Sequence, residues 1–176
     1  MKLNGSGKSV RCFFIFGTLS ALMLICSSCI LLSNFPLSDS NNCHETKLEG
    51  TWLREEKTNG KKQTRTVVIT DEGEKYRSKS AEEKNGCSFI LTKLDSYYFI
   101  SIEADDGNWL IFRIRLKDRE FTMLGLNDQG LELYKEISEE KNKKRYMKIS
   151  QRELQQWCVR NAELFTVELG CYTKAK

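Results

Sequence analysis

YYFISIEADDGNWLIFRIRL, residues 97 to 116, is the stretch on which the fold turns. Two apolar runs flank Asp105-Asp106-Gly107, residue types that tolerate the positive φ of a tight hairpin turn. On the return run, Leu110, Phe112, Ile114 and Leu116 alternate with Ile111, Arg113 and Arg115. That is the period of a strand with one face in a core and the other toward water. The same rhythm extends outward. Upstream runs at Gly50–Glu55, Thr66–Thr70, Lys75–Ser78 and Cys87–Leu94 are punctuated by Asp71-Glu72-Gly73, Lys84-Asn85-Gly86 and Asp95-Ser96, and Glu120–Leu124 follows Lys117-Asp118. Short strands at a spacing of roughly ten residues predict an antiparallel barrel or sandwich. Seven or eight of them in up-and-down order are enough to close a small barrel.

After Asn127 the period changes. Leu131, Leu133, Tyr134 and Ile137 are spaced for a short helix, Glu139–Lys144 reads as a charged loop, and Arg145–Ile149 reads as the last strand. Ser150-Gln151-Arg152-Glu153 has the form of a capping box, in which the serine and glutamate side chains satisfy opposite backbone donors. It predicts a helix over about residues 150–162, with Leu154, Trp157, Cys158 and Asn161 on one face. That helix is expected to lay Trp157 against the outside of the sheet or across an open barrel end. The expected fold is therefore mainly β: a small antiparallel up-and-down barrel with a C-terminal helix.

The N-terminal segment has another character. The first 33 residues contain no acid, carry Lys2, Lys8 and Arg11, and include the run CFFIFGTLSALMLICSSCILL from Cys12 to Leu32. A positive segment followed by an apolar one is an export signal. Of the 28 basic residues in the chain these three lie in the leader, which leaves 25 against 24 acids, a net charge of about +1. The basicity thus belongs to the leader, which argues against a nucleic-acid partner. Residues 1–29 are read as leader, 30–47, with the lone Pro36, as a tether, and 48–176 as a single domain.

Ser27-Ser28-Cys29 resembles the lipobox of bacterial lipoproteins, where the chain is cut before a cysteine that then carries acyl chains such as palmitate. Three positions before the cysteine, where the family prefers Leu, this chain has Cys26. The resemblance implies lipidation at Cys29 and an extracytoplasmic domain held on the cell envelope by membrane lipid. An uncleaved anchor helix and an ordinary cleaved signal are the alternatives, and both leave the domain on the same side. In an oxidising compartment Cys43, Cys87, Cys158 and Cys171 allow up to two disulfides in three pairings.

Gly50-Thr51-Trp52 at the start of the first strand resembles the G-x-W signature of lipocalins, whose tryptophan packs at the closed end of an eight-stranded barrel. The order LEGTW, EKYR after a turn, a hydrophobic hairpin and then ISQRELQQW is similar to a group of uncharacterised bacterial lipoproteins with a small lipocalin-like β domain. The likeness covers roughly Leu48 to Phe165 and implies architecture and anchoring, with no activity to carry over.

No catalytic constellation emerges. The sole histidine, His44, adjoins Cys43, and adjacent side chains in an extended segment diverge. Most of the acids Glu103, Asp105, Asp106, Glu132, Glu136, Glu139 and Glu140 fall in turns or in runs with lysine, where a solvated surface is the default, and a paired-carboxylate site would depend on spatial separations that residue order does not carry. Asp105-Asp106-Gly107-Asn108 lacks the further ligands of a calcium loop. No metal or cofactor is expected. The expectation is a non-enzymatic protein binding an apolar small molecule or lipid inside the barrel, with Tyr97, Tyr98, Phe99, Trp109 and Phe112 as candidate lining. The alternative is a structural or inhibitory module contacting another envelope protein through loops such as Lys57–Gln63 or Lys141–Lys144.

Overall fold

A computed structural model describes residues 29–58, 61–80, 86–104, 107–141 and 144–176. All of the leader except Cys29 lies outside the described residues. After Cys29 come β1 (Leu31–Ser33), β2 (Gly50–Thr58), β3 (Lys61–Asp71), β4 (Tyr76–Ser80), β5 (Cys87–Leu94), β6 (Tyr97–Glu103), β7 (Trp109–Lys117) and β8 (Glu120–Leu126). Then follow α1 (Asp128–Ile137), β9 (Ser138–Lys141), β10 (Lys144–Met147), α2 (Gln151–Arg160) and β11 (Phe165–Lys174). Strands β2 to β8 pair in sequence order, each antiparallel to the next, and β11 bonds to both β8 and β2. The result is a closed, eight-stranded, lipocalin-like barrel with, among the described residues, two α-helices on its outside.

Alternation dictates which residues enter the barrel. On β4, Tyr76, Ser78 and Ser80 are buried while Arg77 and Lys79 are exposed. Across the barrel, Trp52, Val67, Ile69, Phe89, Leu91, Ile100, Ile102, Phe112, Ile114, Phe121, Met123 and Tyr172 form one contiguous apolar cluster. A second cluster lies on the opposite side of the sheet, where the outward residues Phe99, Ile111, Leu124 and Phe165 are covered by Tyr134 of α1 and by Leu154, Trp157 and Cys158 of α2. Both faces of β6 and β7 are therefore buried along part of their length, which explains why YYFISI and WLIF contain so little polar surface. Even Arg113, expected in water, donates from Nη1 to the Ala162 carbonyl at 2.6 Å and lies 4.6 Å from the Tyr97 ring centroid.

The helix expected over 150–162 forms as α2 against the outside of the sheet. Its capping box closes as read, with the Glu153 amide donating to Ser150 Oγ at 3.4 Å and the Ser150 amide donating to Glu153 Oε2 at 2.8 Å. Asn127 caps α1 in the same way, its Oδ1 accepting from the Gly130 amide at 2.9 Å.

Two strand expectations are corrected. The run Arg145–Ile149 is not the last barrel strand, because residues 144–147 pair with 138–141 as a separate hairpin, in the segment read as a charged loop. The strand that closes the barrel is β11, FTVELGCYTK. Register shifts between Phe165 and Val167 and between Glu168 and Gly170 break its alternation, so its period-two pattern is blurred.

A larger correction concerns residues 30–47, expected as a tether and found packed on the barrel at two seams. Strand β8 holds β7 only from Arg113 to Lys117. Beyond that point the two strands part, and β1 takes the free edge, with Leu31 opposite Ile111 and Ser33 opposite Trp109. The Leu126 amide donates to the Cys29 carbonyl at 2.8 Å. Ile30 joins the inner cluster and Leu31 the outer one.

The second seam lies between β4 and β5, which pair only from Tyr76–Ser78 to Cys87–Phe89. There Asn41 accepts from the Leu91 amide at 2.8 Å and donates from its side chain to the Gly73 carbonyl at 2.8 Å, while Asn42 accepts from the Lys93 amide at 2.7 Å. Backbone groups left open in a closed sheet demand partners, and this segment supplies them.

Gly125 is what lets the N-terminal strand approach. A Cβ on this residue would sit 2.5 Å from the Cys29 carbonyl oxygen and 3.0 Å from Leu169 Cδ1. Gly125→Val should therefore lever β1 off the seam and destabilise the domain by about 1–3 kcal/mol, the usual cost of overpacking. Thermal unfolding of the variant checks this, and an unchanged Tm would mean that the seam does not depend on the close approach.

Candidate functional site

The barrel interior is the only concave site the sequence nominated, so its filling decides what it can do. Leu48, Val67, Ile69, Ser78, Phe89, Ile100, Ile102, Ile114, Phe121, Met123 and Tyr172 line a cavity of about 40 Å³. A single water occupies roughly 10–15 Å³ on the same footing, whereas ligand pockets run to roughly 300–1,000 Å³. This cavity is far too small for a lipid, and its mostly apolar lining offers a water few hydrogen-bond partners.

One end of the barrel is closed by Trp52. Its indole Nε1 donates to the Leu48 carbonyl at 2.8 Å, its ring meets Phe121 edge-on at 4.8 Å, and Phe121 stacks on Tyr172 at 4.3 Å. The segment before β2 folds under this plug. The Glu45 amide donates to the Tyr76 hydroxyl at 2.9 Å, and the Tyr98 hydroxyl donates to Glu45 Oε2 at 3.0 Å. Burial, with the nearby Asp71 carboxylate adding to it, pushes the Tyr76 phenol up to about 12.

Further along the same inward face of β2 sit two charges. Arg54 and Glu56 are each 8% exposed. Arg54 Nε lies 3.4 Å from Glu56 Oε1, and Arg65 of β3 brings its Nε to 3.1 Å from Oε2. Arg54 also donates to the Tyr172 hydroxyl and to the Leu169 carbonyl, both at 3.2 Å. Each Glu56 oxygen thus faces a guanidinium without closing a hydrogen bond to it. Sequence reading passed over this group, although the signal was present: with Trp52 inward, a period of two carries Arg54 and Glu56 inward as well.

The candidate lining residues are scattered. Phe112 and, in part, Tyr98 pack with the interior cluster. Phe99 points outward beneath α2. Tyr97 is also outside and donates from its hydroxyl to Glu163 at 2.9 Å. Trp109 is half-buried at the start of β7, opposite Ser33. Lys57 and Gln63 lie on the β2–β3 hairpin, and Lys141 and Lys144 are paired residues of β9 and β10. His44 Nδ1 is 2.7 Å from Asp71 Oδ2, while the half-buried Cys43 thiol lies beside Lys93, its pKa raised by burial. Asp105 and Asp106 fall outside the described residues, but Ala104 and Asn108 flanking them close a hairpin through a 2.7 Å backbone bond. Among the described residues no three His, Cys, Asp or Glu side chains converge on a metal position.

The expected disulfides are corrected: Cys29, Cys43, Cys87, Cys158 and Cys171 are all free thiols. Cys43 neighbours Lys93, six residues along β5 from Cys87, or about 20 Å at strand rise, when a bridge needs α-carbons about 4.4–6.8 Å apart. Cys158 is buried on the other side of the sheet, and Cys171 is exposed on β11. No protein-family model, curated protein or solved structure matches the chain.

Three outcomes follow from this geometry. Glu56→Gln removes the carboxylate that the Arg54 and Arg65 guanidinium groups face, and should cost about 3–5 kcal/mol in denaturant titration, whereas replacing Arg54, Glu56 and Arg65 together by apolar residues of similar volume should cost far less. In native alkylation followed by mass spectrometry, Cys171 should label first, with Cys87 and Cys158 protected until the chain unfolds.

Alkaline titration supplies the third. A tyrosine whose pKa rises from 10 in the unfolded chain to about 12 in the fold contributes stability that is complete below pH 10 and lost as pH climbs to about 12. Tyr76→Phe should flatten the fall in stability over that window, and an identical alkaline profile would contradict the assignment.

Proposed function

We propose that this chain is an extracytoplasmic protein, held on the cell envelope by lipid at Cys29, that works without catalysis as a structural or inhibitory interaction module. The observation that carries the reading is the filled barrel. The cavity bounded by Leu48, Phe89, Ile100, Ile114 and Met123 offers about 40 Å³, so an apolar ligand there would have to displace packed side chains, which favours recognition on the outer surface. The apolar-ligand reading thus gives way to its alternative, with another envelope protein as partner.

Several features support the anchor. Cys29 is half-buried and directly precedes Ile30, which is 7% exposed in the barrel core, so the lipobox-like Ser27-Ser28-Cys29 abuts the folded domain. Ile30, Leu31 and Leu32 end the apolar run of the leader and also belong to the barrel. What remains before Cys29, from Cys12 to Ser28, is about 17 residues; as a helix it would measure about 26 Å against roughly 30 Å of hydrocarbon. A spanning anchor is therefore short once the barrel has taken its share, which favours cleavage and lipidation in the manner of the bacterial lipoproteins the leader resembles. Among the described residues no helix is long and apolar enough to cross a membrane.

Two measurements test this. Intact mass of the membrane-extracted protein should show a chain beginning at Cys29 with acyl chains attached, and a retained leader with no acyl mass contradicts it. Organic extraction of the purified domain should release no stoichiometric apolar molecule, and one lipid recovered per barrel would restore the ligand-binding reading.

A further inference from the structure

Residues 31–37 are held as a bound peptide is held. β1 adds to the free edge of β7, and both outer helices then reach carbonyls of the segment. Tyr134 of α1 donates from its hydroxyl to the Leu32 carbonyl. From α2, Gln151 donates to the Pro36 carbonyl at 3.0 Å and Gln155 to the Leu37 carbonyl at 2.5 Å. Ser101 Oγ of β6 accepts from the Leu37 amide at 3.1 Å, and Asn34 Oδ1 accepts from the Met147 amide at 3.0 Å. Main-chain contacts of this kind give affinity for an extended segment, and side-chain pockets give selectivity. The pockets here are filled by Leu31 and Leu37, both fully buried in the outer core they share with Ile111, Leu124 and Trp157. The strap formed by residues 29–42 reaches β2 through a turn at which Thr46 and Lys47 are exposed. Each of these contacts runs from the strap to an element beyond that turn, so none of them requires strap and barrel to belong to one chain.

We propose that the strap is a peptide ligand bound in cis, and that its seat also takes the strap of a second copy, the two chains exchanging residues 29–42 in a dimer. What selects this occupant is fit. The segment that the seat holds is residues 29–42 of this chain, and every copy carries both the seat and the segment. Exchange of an identical element reproduces in trans each contact made in cis, including the β1–β7 pairing and the Leu126–Cys29 bond, and is therefore a low-cost route to a dimer. Tethering favours the cis arrangement in dilute solution, and confinement of copies on one membrane surface raises the local concentration that favours exchange. The inference gives the interaction-module reading a surface and a partner, and rests on that reading for its setting.

A site-specific protease sequence inserted between Thr46 and Lys47 of the full chain tests both halves. After cutting, the strap fragment should co-elute with the barrel on size exclusion. A labelled synthetic peptide of residues 29–42 should exchange into the cut protein, and the same peptide carrying Leu37→Asp should bind more than about tenfold more weakly, because a buried leucine is lost. The uncut chain, refolded at protein concentrations approaching about a millimolar, should yield a dimer that cutting at the turn converts to particles of monomer size. A strap that leaves on cutting, whether or not the barrel then unfolds, overturns the ligand claim. A chain that stays monomeric on concentrated refolding, or a dimer that survives cutting, overturns the exchange. A lipid recovered from the barrel would instead defeat the interaction-module reading and leave strap retention unaltered, so the two failures are distinguishable.

Discussion

The seam between β7 and β8 is the constraint on which the rest depends. A barrel is stable because closure leaves no strand edge unpaired, yet here the two strands part after Arg113 and Leu124. β8 swings toward β11 at Leu126, and the edge of β7 from Trp109 to Ile111 is left to three residues of β1. Because Gly125 has no side chain, the Cys29 carbonyl fits into the opening. Closure thus needs residues 29–33, which precede the barrel strands in the chain.

The same economy appears at the second seam. Asn41 and Asn42 use side-chain amides, which both donate and accept, to bond the β3–β4 turn and β5 where β4 falls short. Amide side chains suit such a gap because they imitate backbone pairing without committing the chain to a strand. The segment between the seams passes beneath α2, where Leu37 is fully buried and its amide donates to Ser101 Oγ at 3.1 Å. Helices, strap and sheet therefore share one outer core, and the inner core is filled from the opposite face of the same strands.

Much of this was legible from residue order. The alternation of residues 109–116, the turn residues at 71–73 and 95–96, and the capping box at Ser150 all encode local geometry, and local geometry survives folding. Asp95 takes φ 52° at its turn, as an aspartate tolerates. What stayed hidden is non-local. Residues 34–46 are polar in part because Asn34, Asn41 and Asn42 serve as strand and turn partners there, yet by composition they read as a linker. β11 was obscured by its bulges. The cysteine count pointed to bridges, but pairing depends on which face of the sheet each thiol occupies. The Arg54–Glu56–Arg65 group follows from alternation out of Trp52, against the general tendency of charged residues to lie on the surface.

The central claim is that residues 30–42 are structural parts of the barrel. Amide hydrogen exchange on the protein starting at Cys29, resolved by peptide, tests it most directly. The amides of Leu31 and Ser33, and those of Leu91 and Lys93 bonded by the strap, should exchange as slowly as the β6–β7 ladder. Exchange of the 30–42 segment at the rate of an unstructured chain, with the rest of the barrel still protected, would contradict the account.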